Sequence, residues 1–167
     1  IMEGKNPLPF FKYKEVASKL LSASEGGDEC IFAHTFMLLT WNLMCRSVNT
    51  ADLRMSHMKW QEDSIGIVLT VTKSDQGGER NQSEKSSDYG THSIRKGSST
   101  YATSGRVEGP SIVSVCLRAG WSMGNVQDRY LRYEGASDQY VGRCVSGLPA
   151  GSEDFEAKPP HFMTMLI

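Results

Sequence analysis

Residues 91–106, Thr-His-Ser-Ile-Arg-Lys-Gly-Ser-Ser-Thr-Tyr-Ala-Thr-Ser-Gly-Arg, carry His92, Arg95, Lys96 and Arg106 and no acid. With Thr91 as N-cap, its hydroxyl would satisfy an orphan amide of the first helical turn, and His92 and Arg95 would lie one turn apart on one face. The chemistry such a face offers is anion binding. Free amides at a helix start favour phosphate, and a guanidinium fork beside an imidazole adds directed, charge-assisted hydrogen bonds. An exposed His-x-x-Arg is also a common solvated helix face, so the pattern needs partners elsewhere in the chain.

Four further side chains are candidates. Arg46 follows the most apolar run of the sequence; it either caps that helix's dipole or is a guanidinium fixed to a rigid element for recognition. Lys73 ends a strand-like run just before Ser74-Asp75-Gln76-Gly77-Gly78, a turn of the kind that often carries an exposed lysine. Trp121 follows Gly120. Tyr130 stands nine residues beyond it, and with Val126 and Tyr133 it also fits a packing stripe.

Positioning these groups falls to a mainly helical pattern with one small sheet. Residues 1–10, with Pro7 and Pro9, lead into a helix over 10–22 with Phe11, Val16, Leu20 and Leu21 as core contacts. Gly26 and Gly27 break it. Residues 30–45 are apolar on nearly every face, which predicts a helix in the middle of the fold and not on its surface. A helical stub over 47–53 precedes two strands, 53–60 and 64–72, with residues 61–63 as the turn. Residues 79–89 are polar and irregular. After the 91–106 stretch, Gly109-Pro110 opens a helix with Ile112, Val113, Cys116 and Leu117 at core spacing, and Gly120 stops it in the left-handed conformation. Helices over 123–134 and 138–145 follow, residues 147–151 end regular structure, and Pro159-Pro160 marks an extended tail.

The totals bound the function. A chain of 167 residues holds one domain with a real core. A net charge of -1 gives no global pull toward nucleic acid or membrane, yet it averages a basic 92–106 segment against the acidic Glu153, Asp154 and Glu156. Cys30, Cys45, Cys116 and Cys144 form no Cys-x-x-Cys pair and sit in or beside apolar runs, which argues for buried thiols in a reducing compartment and against zinc. The longest apolar run is too short to span a bilayer. No Gly-rich nucleotide loop, His-Glu-x-x-His or paired-carboxylate signal is present. The opening at Ile1, in what reads as mid-sequence, is what a fragment of a longer protein would show.

Arg46, Lys73, His92, Arg95, Trp121 and Tyr130, in that order and spacing, resemble the catalytic domain of the tyrosine recombinases, the phage-integrase-like superfamily. More narrowly, Trp41-Asn42-Leu43-Met44-Cys45-Arg46, Trp60-Gln61-Glu62-Asp63, Thr91-His92-Ser93-Ile94-Arg95-Lys96-Gly97, Arg118-Ala119-Gly120-Trp121 and Val141-Gly142-Arg143 resemble the Crypton-type recombinases of eukaryotic mobile elements. The resemblance covers about residues 4–162. It implies a mainly α fold with a small antiparallel sheet or hairpin, residues 1–150 forming one catalytic domain and 151–167 an acidic, proline-containing tail. The implied activity is DNA recombination or integration in the nucleus, by strand breakage and rejoining through a covalent 3'-phosphotyrosyl intermediate.

The resemblance also implies roles. Tyr130 is the nucleophile, favoured over Tyr133 by its nine-residue spacing from Trp121. Arg46 and Arg95 clamp the non-bridging oxygens, whose charge grows in the transition state. His92 accepts or donates a proton beside the nucleophile, and Lys73 protonates the departing 5' oxygen. Trp121 occupies the place where many members have a second histidine; an indole donates one hydrogen bond but shuttles no proton, which makes it an orienter. Lys96, Arg106 and Arg118 are the expected contacts to double-stranded DNA. Strand exchange implies self-association, and the mechanism uses no cofactor and no metal.

Two departures keep other readings open. Family members place a much longer segment, normally a third strand and helices, where this chain has only residues 74–91 between Lys73 and His92. The sequence also shows no sign of the N-terminal DNA-binding domain that closes these enzymes around a duplex. A non-cutting DNA-binding or interaction module is therefore the second reading, and a different phosphate-handling enzyme using Arg46, His92 and Arg95 the third. Under the first reading Arg46, His92, Arg95 and Tyr130 share one pocket.

Overall fold

The computed structural model describes residues 5–23, 27–61, 64–69, 88–90, 92–124 and 135–152. Among them six helices surround one core and carry a single hairpin: α1 (Phe10–Ser22), α2 (Asp28–Leu43), α3 (Ser47–Ala51), β1 (Met58–Gln61), β2 (Ser64–Ile67), α4 (Ser93–Ser104), α5 (Ile112–Ala119) and α6 (Gly135–Ser146). The strands pair antiparallel, Met58 with Ile67 through to Gln61 with Ser64, and are shorter than the two runs expected from sequence. No described helix is long and apolar enough to cross a membrane.

Local chemistry sets the helix ends. Pro9, with φ −65°, stands just before α1 and its carbonyl accepts the Tyr13 amide. Asp28 and Glu29 place negative charge in the first turn of α2. That helix stops where Met44 takes φ 52° and turns the chain. A left-handed methionine costs about 1–2 kcal/mol, and complete burial of its side chain offsets it. Ser111 caps α5 by accepting the Ser114 amide at 3.1 Å. Gly120, at φ 64°, closes it as the sequence predicts, with the Trp121 amide bonded back to the Cys116 carbonyl at 2.9 Å.

Trp41 is the centre of the core. It is fully buried, stacked on Tyr13 at 4.1 Å and flanked by Phe10 and Tyr101, and its indole N–H donates to the Val145 carbonyl at 2.9 Å. Met44, Ala102, Val115, Val141 and Val145 complete the cluster from α4, α5, α6 and the chain beyond α2. His34 ties α2 to α1, its Nδ1 donating to the Ala17 carbonyl at 2.9 Å.

Four expectations are corrected. On α1 the core stripe is Phe10, Tyr13, Ala17 and Leu20, while Phe11, Val16 and Leu21 are exposed; of the four expected contacts only Leu20 packs against the core. The helix has two apolar stripes, and the one that stacks on Trp41 is the buried one. α2 is central only in its second half, through Met37, Thr40 and Trp41, whereas Ile31 and Phe32 face solvent. On α5, Val115 and Ala119 point inward and Ile112 is exposed. The last helix begins earlier than expected, at Gly135. The helix expected over 123–134 falls largely outside the described residues.

Burial pushes the Tyr13 phenol from 10.0 up to about 12, against an opposing hydrogen bond to the Asn42 side chain. A pKa raised by folding means that this contribution to stability is intact below pH 10 and is lost as pH rises from 10 toward 12. An ultraviolet alkaline titration of the folded protein should therefore show a late phenolate component that Tyr13→Phe lacks. Identical high-pH limbs in the two proteins would refute the assignment.

Candidate active site at Arg46 and Arg95

Arg46 occupies the N-cap position of α3, two residues past the left-handed Met44. Cys45, only 3% exposed, and the fully buried Met44 anchor the backbone that leads into it. Beneath this corner lies a small hydroxyl–thiol cluster. Thr40 Oγ1 lies 2.9 Å from Thr50 Oγ1, which lies 3.0 Å from the Cys45 thiol, and the Thr50 amide donates to the Arg46 carbonyl at 3.1 Å. Neither threonine was singled out by sequence; a threonine inside an apolar helix and another four residues after Arg46 were the available signals.

The α4 start is built differently from the expected Thr91 cap. His92 takes the N-cap position and is exposed, with its carbonyl accepting the Lys96 amide. Ser93 is buried and its Oγ accepts the Gly90 amide at 2.9 Å. Thr91 itself lies outside the described residues. One turn after His92, Arg95 is half-buried. Its Nη2 donates to the Ala119 carbonyl and its guanidinium lies 5.4 Å from the centre of the Trp121 ring. Trp121, 38% exposed, owes that position to the Gly120 helix stop.

The charge of Arg95 is felt at Cys45, the residue before Arg46. Burial pushes its thiol up; the Thr50 hydroxyl acts in the opposite direction, as does the positive charge of Arg95 and Arg118. The Arg95 guanidinium is thus close enough to act on the residue immediately before Arg46. Trp121 contacts Arg95. Lys73 and Tyr130, and with them Tyr133, lie outside the described residues.

The three cations expected on DNA have partners within the chain. Lys96 Nζ donates to the Lys5 carbonyl at 3.0 Å. Arg106 donates to the Cys144 carbonyl at 2.9 Å and the Leu148 carbonyl at 2.6 Å, and lies over Tyr101. Arg118 donates to the Asn42 and Asp138 carbonyls and pairs with the Asp138 carboxylate at 2.8 Å. Arg106 and Arg118 therefore direct these donors at the last helix and its neighbours. Beyond α3 an open cleft of about 470 Å³ is lined by Ala51, Asp52, Leu53, Arg54 and His57, none of them a site residue expected from sequence.

Chemically, α4 offers one guanidinium oriented by a carbonyl and an indole ring, with an exposed imidazole one turn earlier. A guanidinium so placed suits a tetrahedral oxyanion better than a lysine would, because its donors are planar and permanently charged. Among the described residues no cluster of histidine, cysteine or carboxylate groups is arranged to hold a metal. Compared with protein-family models, with curated proteins and with solved structures, the chain finds no match.

Proposed function

We propose that this chain is a tyrosine-recombinase-like catalytic domain, of the Crypton type, that breaks and rejoins double-stranded DNA in the nucleus. The observation that carries this reading is the hold on Arg95 by the Ala119 carbonyl and the Trp121 ring, with its positive charge felt at Cys45, the residue before Arg46. In the proposed reaction the Tyr130 oxygen forms a bond to the scissile phosphorus and the bond to the 5' oxygen breaks. Arg46 and Arg95 balance the charge that builds on the non-bridging oxygens. His92 receives the phenolic proton, and Lys73 delivers one to the leaving oxygen. The phosphotyrosyl link conserves the bond energy, so religation reverses the same steps without a nucleotide. Copies of the chain associate for strand exchange.

A duplex with a nick near the cleavage position traps the intermediate, because the short cut strand diffuses away. Denaturing electrophoresis should show a covalent protein–DNA adduct that Tyr130→Phe abolishes and Tyr133→Phe retains. The second reading, a DNA-binding or interaction module derived from such an enzyme, is favoured by the short 74–91 connection and by the internal partners of Arg106 and Arg118. Salt-sensitive DNA binding with no adduct on any nicked duplex would establish that module and overturn the enzyme.

A further inference from the structure

Arg118 stands at the C-terminal end of α5 with its side chain only 13% exposed, and its guanidinium joins three parts of the fold. Nε donates at 2.9 Å to the Asn42 carbonyl in the last turn of α2, four residues before Arg46. Nη1 donates at 2.8 Å to the Asp138 carbonyl and lies 2.8 Å from the Asp138 carboxylate, in the first turn of α6. The other terminal nitrogen fits against Gly142, where a Cβ would approach to 3.4 Å. The next residue, Ala119, presents the carbonyl that takes Arg95. Two consecutive residues thus tie both the α2 end that leads into Arg46 and the α4 side chain of Arg95 to one point.

We infer that Arg118 is a positioning residue that sets the separation of Arg46 and Arg95, so that one phosphate meets both guanidiniums. This rests on the phosphate-clamp reading given above. A direct DNA contact is the role that sequence suggests for Arg118, but its donors run to carbonyls and a carboxylate inside the domain. A lysine keeps the charge yet concentrates it in one ammonium, which cannot span Asn42 and Asp138 with the geometry of a guanidinium. The α2 end and α5 then lose their common reference. Placement errors of about 1 Å between fixed groups cost on the order of a hundredfold in oriented chemistry, so modest slack here matters.

The test titrates inorganic phosphate into isotope-labelled protein and follows the Nε–H resonances of Arg46 and Arg95. In the unmodified chain both should move together and give one Kd. In folded Arg118→Lys the affinity should fall about tenfold and the two resonances should cease to share a Kd. Asp138→Asn removes the ion pair and leaves both carbonyl bonds; it should fall about threefold and carries the test if Arg118→Lys does not fold. Unchanged phosphate affinity in a folded variant overturns the positioning role and leaves the clamp standing. No phosphate response at either arginine of the unmodified chain overturns the clamp, and the positioning role with it. A direct DNA contact reads differently again. Arg118→Gln would then lower the salt dependence of duplex binding by about one phosphate contact, whereas positioning leaves that slope unchanged.

Discussion

Gly97→Ala is expected to destabilise the domain by about 2–3 kcal/mol, although alanine is the better helix former. Inside a helix the exchange ordinarily gains up to about 1 kcal/mol, mostly by reducing the freedom of the unfolded chain. At this position a Cβ would overlap the Leu8 carbonyl oxygen, with the Leu8 carbonyl carbon and amide nitrogen at 3.0 Å. Those are backbone atoms, so no rotamer change relieves the overlap, and residues 5–9 must lift from α4. Lifting them strains the Leu8 amide bond to the Ser93 carbonyl, the Asn6 amide bond to Asp88 and the Lys96 bond to Lys5. It also loosens the buried Leu8 at the edge of the core. Gly135→Ala provides the contrast, because a Cβ there meets nothing within 4 Å and should be neutral or slightly stabilising. Urea unfolding of the two variants separates propensity from contact, and a Gly97→Ala protein as stable as the parent would refute the close approach.

The same glycine shows what could be read from letters. It belongs to the Thr91–Gly97 motif, and the motif is visible in sequence, but its partner Leu8 is 89 residues away and contributes only backbone. Mainly helical class, the hairpin and the Gly120 stop follow from patterns of near neighbours, which is where sequence reasoning is strong. Faces are harder. α2 is so uniformly apolar that periodicity cannot rank its sides, and Ile31 and Phe32 end up in solvent. On α1, Tyr13 and Ala17 outrank Phe11 and Val16 because Tyr13 stacks on Trp41 and finds Asn42, a pairing no local pattern reports. Arg106 and Arg118 read as surface cations for a related reason. Their acceptors are carbonyls on distant segments, and a carbonyl carries no side-chain signature.

Arg95→Lys is expected to slow covalent adduct formation by about 10²–10³ at saturating protein while leaving DNA affinity within about threefold. The guanidinium has two tasks under the proposed mechanism. One arm is committed to the Ala119 carbonyl and the plane lies over Trp121, which fixes its direction before DNA arrives. A direction set in advance lets the guanidinium charge meet an oxyanion without reorganisation, the condition under which such a group contributes most to a transition state. A lysine in the same place keeps the charge, so long-range attraction of the duplex survives. Its single ammonium cannot hold the carbonyl and a phosphate oxygen in the arm-and-fork arrangement, and it loses the guanidinium's contact with the indole ring. The penalty therefore falls on the rate and not on binding. Arg95→Ala should lose the same rate and also some stability, about 1–3 kcal/mol, because the Ala119 carbonyl is left without this donor. Measuring adduct formation in single turnover, alongside thermal unfolding of each variant, keeps the two effects apart. If Arg95→Lys reacts within about threefold of the parent, the charge alone suffices and the oriented fork has no catalytic part.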